Sequence, residues 1–342
     1  MKILVTGGTG YIGSHTVVEL LNKGFEVIII DNLSNSHVEV LDAIEKITGI
    51  KPAFFDCDLS DESSVINFFQ RNKVDAIIHF AAYKSVGESV EEPLMYYRNN
   101  LLSLINLLEA TSQHGVNDIV FSSSCSVYGD PDHLPVDEQT SLKKAESPYA
   151  NTKKICEEIL NDTVKVSDIR AIALRYFNPI GAHESALIGE LPLGVPNNLI
   201  PVITQTVIGK RDVLYVYGND YDTPDGSCIR DYIHVTDIAK AHIIAVERLL
   251  NKKNKAPYEV FNLGTGKGNS VLEVIKTFEK VTGEKLNYKT APRRPGDVVK
   301  IYADTTLANQ ELGWKAEKGL DEMLLSAWEW EKTLNAKENA NA

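Results

Sequence analysis

Val5-Thr6-Gly7-Gly8-Thr9-Gly10-Tyr11-Ile12-Gly13 is the stretch that decides the fold. Residues 2–6 are short, apolar and β-rich, and read as a buried strand ended by glycines. Residues 11–23 read as a helix closing at Gly24. Glycines at Gly7, Gly10 and Gly13 give the spacing G-x-x-G-x-x-G. A tight turn of small residues lets backbone N–H groups approach a pyrophosphate, and the helix N-terminus adds partial positive charge. A glycine triplet alone is weak, because turns need glycine anyway. Strand before, helix after and an acid at the end of the next strand make it specific.

That acid is Asp31, eighteen residues after Gly13, after the apolar strand Phe25–Ile30. A carboxylate there accepts hydrogen bonds from both ribose hydroxyls and repels a 2′-phosphate, so NAD is expected over NADP. The plainer reading is an Asp that only shapes a turn. Asn32, Asn35 and Ser36 follow as adenosine-side contacts. Further strands are expected at Ala53–Phe55, Asp75–Phe80, Asp118–Ser122 and Ile169–Arg175. Helices are expected over residues 61–72 (capped by Ser60, with Ser63 in the first turn), 93–113 and 148–165. Strands alternating with helices imply an α/β fold: a doubly wound parallel sheet of Rossmann type. Asp58 and Leu59, after the third strand, are placed to read an adenine edge. Phe80-Ala81-Ala82-Tyr83-Lys84 ends the fourth; small residues at Ala81 and Ala82 let the backbone pass close to the cofactor, and Lys84 is placed to meet the pyrophosphate, although Lys84 also reads as an ordinary surface lysine.

The texture changes beyond residue 178. Proline, glycine and polar residues crowd residues 179–230, which suggests a smaller mixed substrate lobe over 179–342, interwoven with a cofactor domain over 1–178. Residues 231–250 are expected to return to the main sheet, and the tail after Trp330 to fray.

The 342 residues suit one large α/β domain with an appendage, or two domains, with a substantial core. A 43% hydrophobic content excludes disorder. The net charge of −12, with no basic stripe, argues against a nucleic-acid partner but allows a phosphorylated ligand at local arginines. Cys57, Cys125, Cys156 and Cys228 form no C-x-x-C pair, so neither a metal site nor a disulfide framework is expected; free thiols fit a cytoplasmic location. No apolar run reaches a membrane span, and Lys2 followed at once by a strand is not a signal peptide.

Tyr149 and Lys153 lie four apart on a predicted helix and share a face. A tyrosine keeps its proton to about pH 10. A neighbouring ammonium and an oxidised nicotinamide both favour the phenolate, which makes Tyr149 a candidate general base. Tyr-x-x-x-Lys alone is common as a surface pair. It gains force from Ser122-Ser123-Ser124 at the end of the preceding strand, since parallel sheets place ligands at the C-terminal ends of their strands.

Together with Asp31-Asn32-Leu33, Val86-Gly87-Glu88-Ser89, Ser147-Pro148-Tyr149, Leu174-Arg175-Tyr176-Phe177-Asn178-Pro179, Gly218-Asn219-Asp220-Tyr221, Arg230-Asp231-Tyr232-Ile233-His234 and Ala291-Pro292-Arg293-Arg294, these segments run through nearly the whole chain. The chain resembles the extended short-chain dehydrogenases, most closely the UDP-glucose 4-epimerase family of galactose metabolism. The resemblance implies that Tyr149 is the catalytic acid/base, that Ser124 assists it, and that Lys153 tunes it and holds the nicotinamide ribose. It implies that Tyr11, Ile12, Asn99 and Tyr176 join the cofactor residues above. It assigns Asn178, Asn198, Leu199, Tyr215, Tyr217, Arg230, Arg294 and Asp297 to the UDP moiety, with Lys84, Ser124 and Tyr149 also meeting substrate. Two arginines suit a diphosphate through charge-assisted hydrogen bonds.

The implied activity is inversion of C4 of a UDP-hexose through a transient 4-keto sugar, with net redox of zero. Some family members carry a Tyr four residues after the Asp of Arg-Arg-x-Gly-Asp, beside the sugar's 2-substituent. Here that position is Ile301, and Tyr302 comes one residue late, on the opposite strand face. Activity on UDP-glucose and UDP-galactose is expected, with UDP-GlcNAc and UDP-GalNAc open. The rival reading is a sugar-nucleotide 4,6-dehydratase or decarboxylase of the same fold. Related dehydratases resemble Thr-Asp-Glu where this chain has Ser124-Cys125-Ser126, which holds no carboxylate for elimination. A non-catalytic NAD-binding scaffold would not need Ser124, Tyr149 and Lys153 together. The resemblance further suggests a homodimer built on helices near 93–113 and 148–165, although packing on their own sheet explains their apolar faces equally well.

Overall fold

Lys2–Thr6 forms β1, whose side chains divide between two cores: Ile3 and Val5 face one, Leu4 the other. The same alternation runs through β2 (Glu26–Asp31), with Val27 and Ile29 on one side and Ile28 and Ile30 on the other. A strand buried on both faces sits in the middle of a three-layer sandwich. The computed structural model describes residues 1–294 and 297–341. Pro295 and Gly296 of the Arg293–Asp297 motif, and Ala342, lie outside the described residues.

In chain order β1 is followed by α1 (Tyr11–Asn22), β2, α2 (Val40–Thr48), β3 (Ala53–Asp56), α3 (Glu62–Arg71), β4 (Ala76–His79), α4 (Val86–Glu91), α5 (Pro93–His114), β5 (Asp118–Ser124), α6 (Pro148–Thr163) and β6 (Arg170–Tyr176). The second part contributes β7 (Asn178–Ile180), α7 (Leu199–Val207), β8 (Leu214–Tyr217), β9 (Ile229–His234), α8 (Val235–Leu250), β10 (Tyr258–Leu263), β11 (Gly268–Ser270), α9 (Val271–Thr282), β12 (Tyr288–Ala291), β13 (Lys300–Ile301) and α10 (Leu320–Asn341).

Seven parallel strands form the main sheet in the order β10-β6-β5-β4-β1-β2-β3. The chain leaves β1 in one direction to β2 and β3 and in the other to β4, so the order reverses beside β1. The crevice at such a reversal, above the C-terminal strand ends, is where doubly wound sheets bind dinucleotides. Residues of α1, α2 and α8 fill the core on one face; those of α3, α5 and α6 fill the other. A third core joins α7, α9, α10, β8 and β9 into a smaller lobe.

The expected strands and helices stand within two residues of their forecast limits, and α2 and α4 are additional. The cap of α3 is a correction. Asp61, not Ser60, accepts the Ser63 N–H at 3.2 Å, while both the N–H and the hydroxyl of Ser60 donate to Asp58 at 2.8 Å. The anticipated return over 231–250 also takes another form. β9 pairs with β7, β11 and β13 in the smaller lobe, α8 covers the main sheet, and β10 is the strand that joins it. The tail past Trp330 continues α10 to Asn341 rather than fraying.

Candidate active site

The glycine turn leaves a cradle that side chains would fill. Gly7 has φ +69°, and a Cβ on it would stand 2.8 Å from the Ala81 nitrogen. A Cβ on Gly13 would stand 2.2 Å from the Gly7 carbonyl oxygen, so this glycine lets α1 close on the turn. Gly10 is the N-cap of α1 with no side-chain cap, and no acidic residue lies in the first turn. The first N–H groups of α1 are therefore free for an anion. A dinucleotide pyrophosphate fits this cradle.

Asp31 ends β2 beside it. Its Oδ2 accepts from the Thr9 N–H at 3.2 Å, and its Oδ1 from Ser36 Oγ and the Leu33 N–H, both at 3.0 Å. Thr9 and Ser36 share a hydrogen bond of 2.8 Å, so Asp31 and Ser36 are brought together with the glycine turn. Asn32 accepts from the Ser34 N–H within the same loop, and Asn35 is exposed.

The remaining cofactor candidates divide by what their side chains already do. Leu59 is buried in the second core, while Ile12 packs against the first and Ala81 against the second, both partly buried. Tyr11 donates its phenol to the Gly181 carbonyl at 2.6 Å, tying α1 to the segment after β7. Asp58 is occupied in its turn with Ser60. Asn99 donates to Asn100 Oδ1 at 3.0 Å. The Phe80 ring lies 4.5 Å from that of His242, tilted against it by 43°. Tyr176, in register with Ser124, hydrogen-bonds the Ser122 hydroxyl at 2.7 Å.

Ser147 caps α6 by accepting the Ala150 N–H, and Pro148 starts the helix; Tyr149 therefore stands in the first turn, 8% exposed. Burial pushes its phenol far above the ordinary value and the Tyr176 phenol adds to this, whereas hydrogen bonding with Ser124 opposes both. Lys153, one turn on, is buried; its Nζ donates to the Ser122 carbonyl at 2.7 Å and lies 4.9 Å above the Phe121 ring. Burial lowers its value to about 8. His79 hydrogen-bonds Thr6 at 2.7 Å and is held neutral by burial, at about 3. In the chain by itself desolvation keeps the proton on Tyr149, and Lys153 is not among the groups that shift it.

Glu157 was not foreseen. It lies eight residues after Tyr149, on the same helix face, and that spacing was the available signal. Its carboxylate takes the Arg175 guanidinium at 2.6 and 2.9 Å and the Ser123 hydroxyl, and Arg175 reaches the Tyr128 phenol at 3.1 Å. This buried pair locks α6 to the ends of β5 and β6, fixing the height of Tyr149 and Lys153 over Ser122 and Ser124.

Across the cleft the smaller lobe gathers most of the other candidates. Asp297 bridges Arg294, at 2.8 Å, and Arg230, at 3.8 Å. The Arg294 guanidinium lies 5.7 Å from the centre of the Tyr217 ring. Tyr215 and Tyr217 alternate with buried Leu214 and Val216, so both project from the exposed face of β8. Asn178 heads β7 directly after Tyr176 and Phe177. Ile301 is buried in a small core with Val127, Tyr128, Val136, Phe177 and Ala303. Asn198, the N-cap of α7 before Leu199, donates to Glu190 at 2.6 Å, and Lys84 reaches the same carboxylate oxygen at 3.4 Å. Glu190 too was missed, since no spacing links it to either partner.

The model of the family described as GDP-mannose 4,6 dehydratase matches residues 4–326. Over 334 residues the chain is 50% identical to a UDP-glucose 4-epimerase of Bacillus subtilis, covering 97% of each. A crystal structure of UDP-glucose-4-epimerase from Stenotrophomonas maltophila, with bound NAD and formylated UDP-arabinopyranose, superimposes with a TM-score of 0.95 at 46% identity, over 98% of this chain and 99% of that one. A UDP-glucose 4-epimerase from Bifidobacterium longum in complex with NAD+ and UDP gives a TM-score of 0.93 at 47% identity, over 97% and 98% of the two chains.

Proposed function

The chain belongs to the family described by the GDP-mannose 4,6 dehydratase model and, within it, to the UDP-glucose 4-epimerases, and from that premise we propose how its residues invert C4 of a UDP-hexose. It is an NAD-dependent epimerase. The observation that carries the residue assignment is the convergence of Ser124, Tyr149 and Lys153 above the C-terminal end of β5, next to the glycine cradle. The turn after Ser124 carries Cys125 and Ser126, so no carboxylate stands there to eliminate water, in keeping with epimerisation over dehydration.

NAD would be held at the Gly7–Gly13 turn and by Asp31, and would supply reversible hydride acceptance at C4. The chain's own residues handle the proton and the grip. Tyr149 takes the proton from the 4-hydroxyl and later returns it to the 4-keto oxygen, while Ser124 hydrogen-bonds the same oxygen. Lys153, held by the Ser122 carbonyl, keeps positive charge beneath the phenol and favours its ionised form. Arg230, Arg294, Asn178, Asn198, Leu199, Tyr215 and Tyr217 hold the UDP, with Asp297 orienting the two arginines. Binding energy in the nucleotide retains the 4-keto sugar while the hexose turns. In this reading residues 1–178 carry the cofactor and the lobe from 179 carries the UDP-sugar.

Ile301 is smaller than the tyrosine that some family members carry at this position, and this supports acceptance of N-acetylated UDP-sugars. Leu94 and Leu102 of α5 are 78% and 38% exposed, which supports a homodimer through that helix. Four free cysteines support a cytoplasmic location. Among the described residues no helix is long and apolar enough to cross a membrane.

The test is incubation of purified protein, without added NAD, with UDP-galactose and separately with UDP-GalNAc, the products resolved by NMR. Conversion of both supports the assignment and the open pocket. Conversion of UDP-galactose alone removes the open pocket, and no conversion even with NAD overturns the assignment of the site.

A further inference from the structure

Glu190 has no role in the scheme above, yet residues assigned to both ligands surround it. Its Oε1 accepts from Asn198 Nδ2 at 2.6 Å and from Lys84 Nζ at 3.4 Å. Its side chain is 10% exposed against 50% for Lys84. Its charge is, after burial, the second cause that keeps the proton on Tyr11. The backbone is pinned: the Glu190 carbonyl accepts from Trp330 Nε1 at 2.9 Å, and a Cβ on Gly189 would meet the same indole at 2.5 Å. The backbone at Glu190 is thus held by α10, and its carboxylate accepts from the two donors.

A carboxylate oxygen that gathers an ammonium and an amide N–H makes the hydrogen bonds a phosphate oxygen would make. Resting on the reading of Lys84 and Asn198 as UDP-sugar contacts, we propose that Glu190 is an internal counter-anion, a positioning residue that holds both donors in place and competes with the ligand's diphosphate for them. When the diphosphate enters, the half-exposed lysine turns to it while the fixed carboxylate stays. Glu190 therefore weakens ground-state binding of the nucleotide. Such weakening raises KM without loss of kcat and lets product leave.

The probe is UDP, titrated by calorimetry into the purified holoenzyme. For Glu190→Gln the Kd for UDP is expected to fall about two- to fivefold, the span of an exposed ion pair. The KM for UDP-galactose should fall in step, with kcat not raised. The gain is expected to vanish in Lys84→Met/Glu190→Gln measured against Lys84→Met, a dependence that a merely structural role would not produce. Unchanged or weaker UDP binding by Glu190→Gln, or a gain that survives loss of Lys84, overturns the proposal. Should Glu190→Gln not fold, Glu190→Asp draws the charge back by one methylene; a smaller gain in the same direction is expected, and no gain contradicts it. Failure of the unsubstituted protein to bind UDP would instead overturn the reading of Lys84 and Asn198, and it shows in the first titration.

Discussion

Lys153 donates its ammonium to the backbone carbonyl of Ser122 at 2.7 Å, fastening the middle of α6 to the C-terminal end of β5. The lysine is thereby a fixed charge rather than a mobile one, and its low value of about 8 follows from being buried there.

An alkaline limit follows. The ammonium favours the phenolate only while it is charged, so kcat/KM for UDP-galactose is expected to fall as pH rises through about 8. Lys153→Arg, whose guanidinium does not titrate in that range, is expected to be slower but to lose this limb. A pH profile of both proteins checks it, and an unmoved limb in Lys153→Arg assigns it to another group.

The acid/base pair gives a second expectation. Tyr149→Phe removes the atom assigned to exchange the 4-hydroxyl proton, and kcat should drop about 10²- to 10⁴-fold. Ser124→Ala keeps the phenol but loses its partner, at a cost of roughly tenfold, or about 1.4 kcal/mol in the barrier. Copurified NAD, read by absorbance after denaturation, should stay near the unsubstituted level in both. Loss of the cofactor would mean that these side chains hold NAD rather than run the chemistry.

Gly13→Ala should behave differently. Its Cβ would stand 2.2 Å from the Gly7 carbonyl oxygen, so α1 must back away from the turn. The variant is expected to purify without NAD and with lowered thermal stability. Retention of a full complement of NAD would show that the cradle is not the pyrophosphate site.

The Glu157–Arg175 pair is both buried and fully hydrogen-bonded. Removing one partner of such a pair costs about 3–5 kcal/mol. Glu157→Gln should show this in denaturant unfolding, together with a fall in kcat as α6 loosens. The double variant Glu157→Gln/Arg175→Met should recover much of the stability. Equal destabilisation in the single and double variants would contradict a coupled pair.

The main sheet was legible because its signals are local. Glycines at 7, 10 and 13 punctuate a strand and a helix, and the apolar runs of β2, β4, β5 and β6 have no other good packing than a covered parallel sheet. β10 was missed as the seventh strand, because Tyr258–Leu263 alternates too little to announce which sheet it joins. Asp61 displaced Ser60 as a cap because a nearby carboxylate, Asp58, captured the serine first. In the site, Tyr149, Lys153 and Ser124 were visible as a spacing plus a strand end. Glu190 was not, since its partners Lys84 and Asn198 are 106 and 8 residues away and no periodic spacing links it to either.

The most direct test of the central claim follows an isotope at the inverted carbon. UDP-[4-²H]galactose is incubated with the purified protein without added NAD, and the product is examined by NMR. UDP-glucose that keeps the deuterium at C4 is expected, because the label leaves and returns inside one closed site. Deuterium moved to C6 in a 6-deoxy-4-keto product, or lost to solvent, would contradict it.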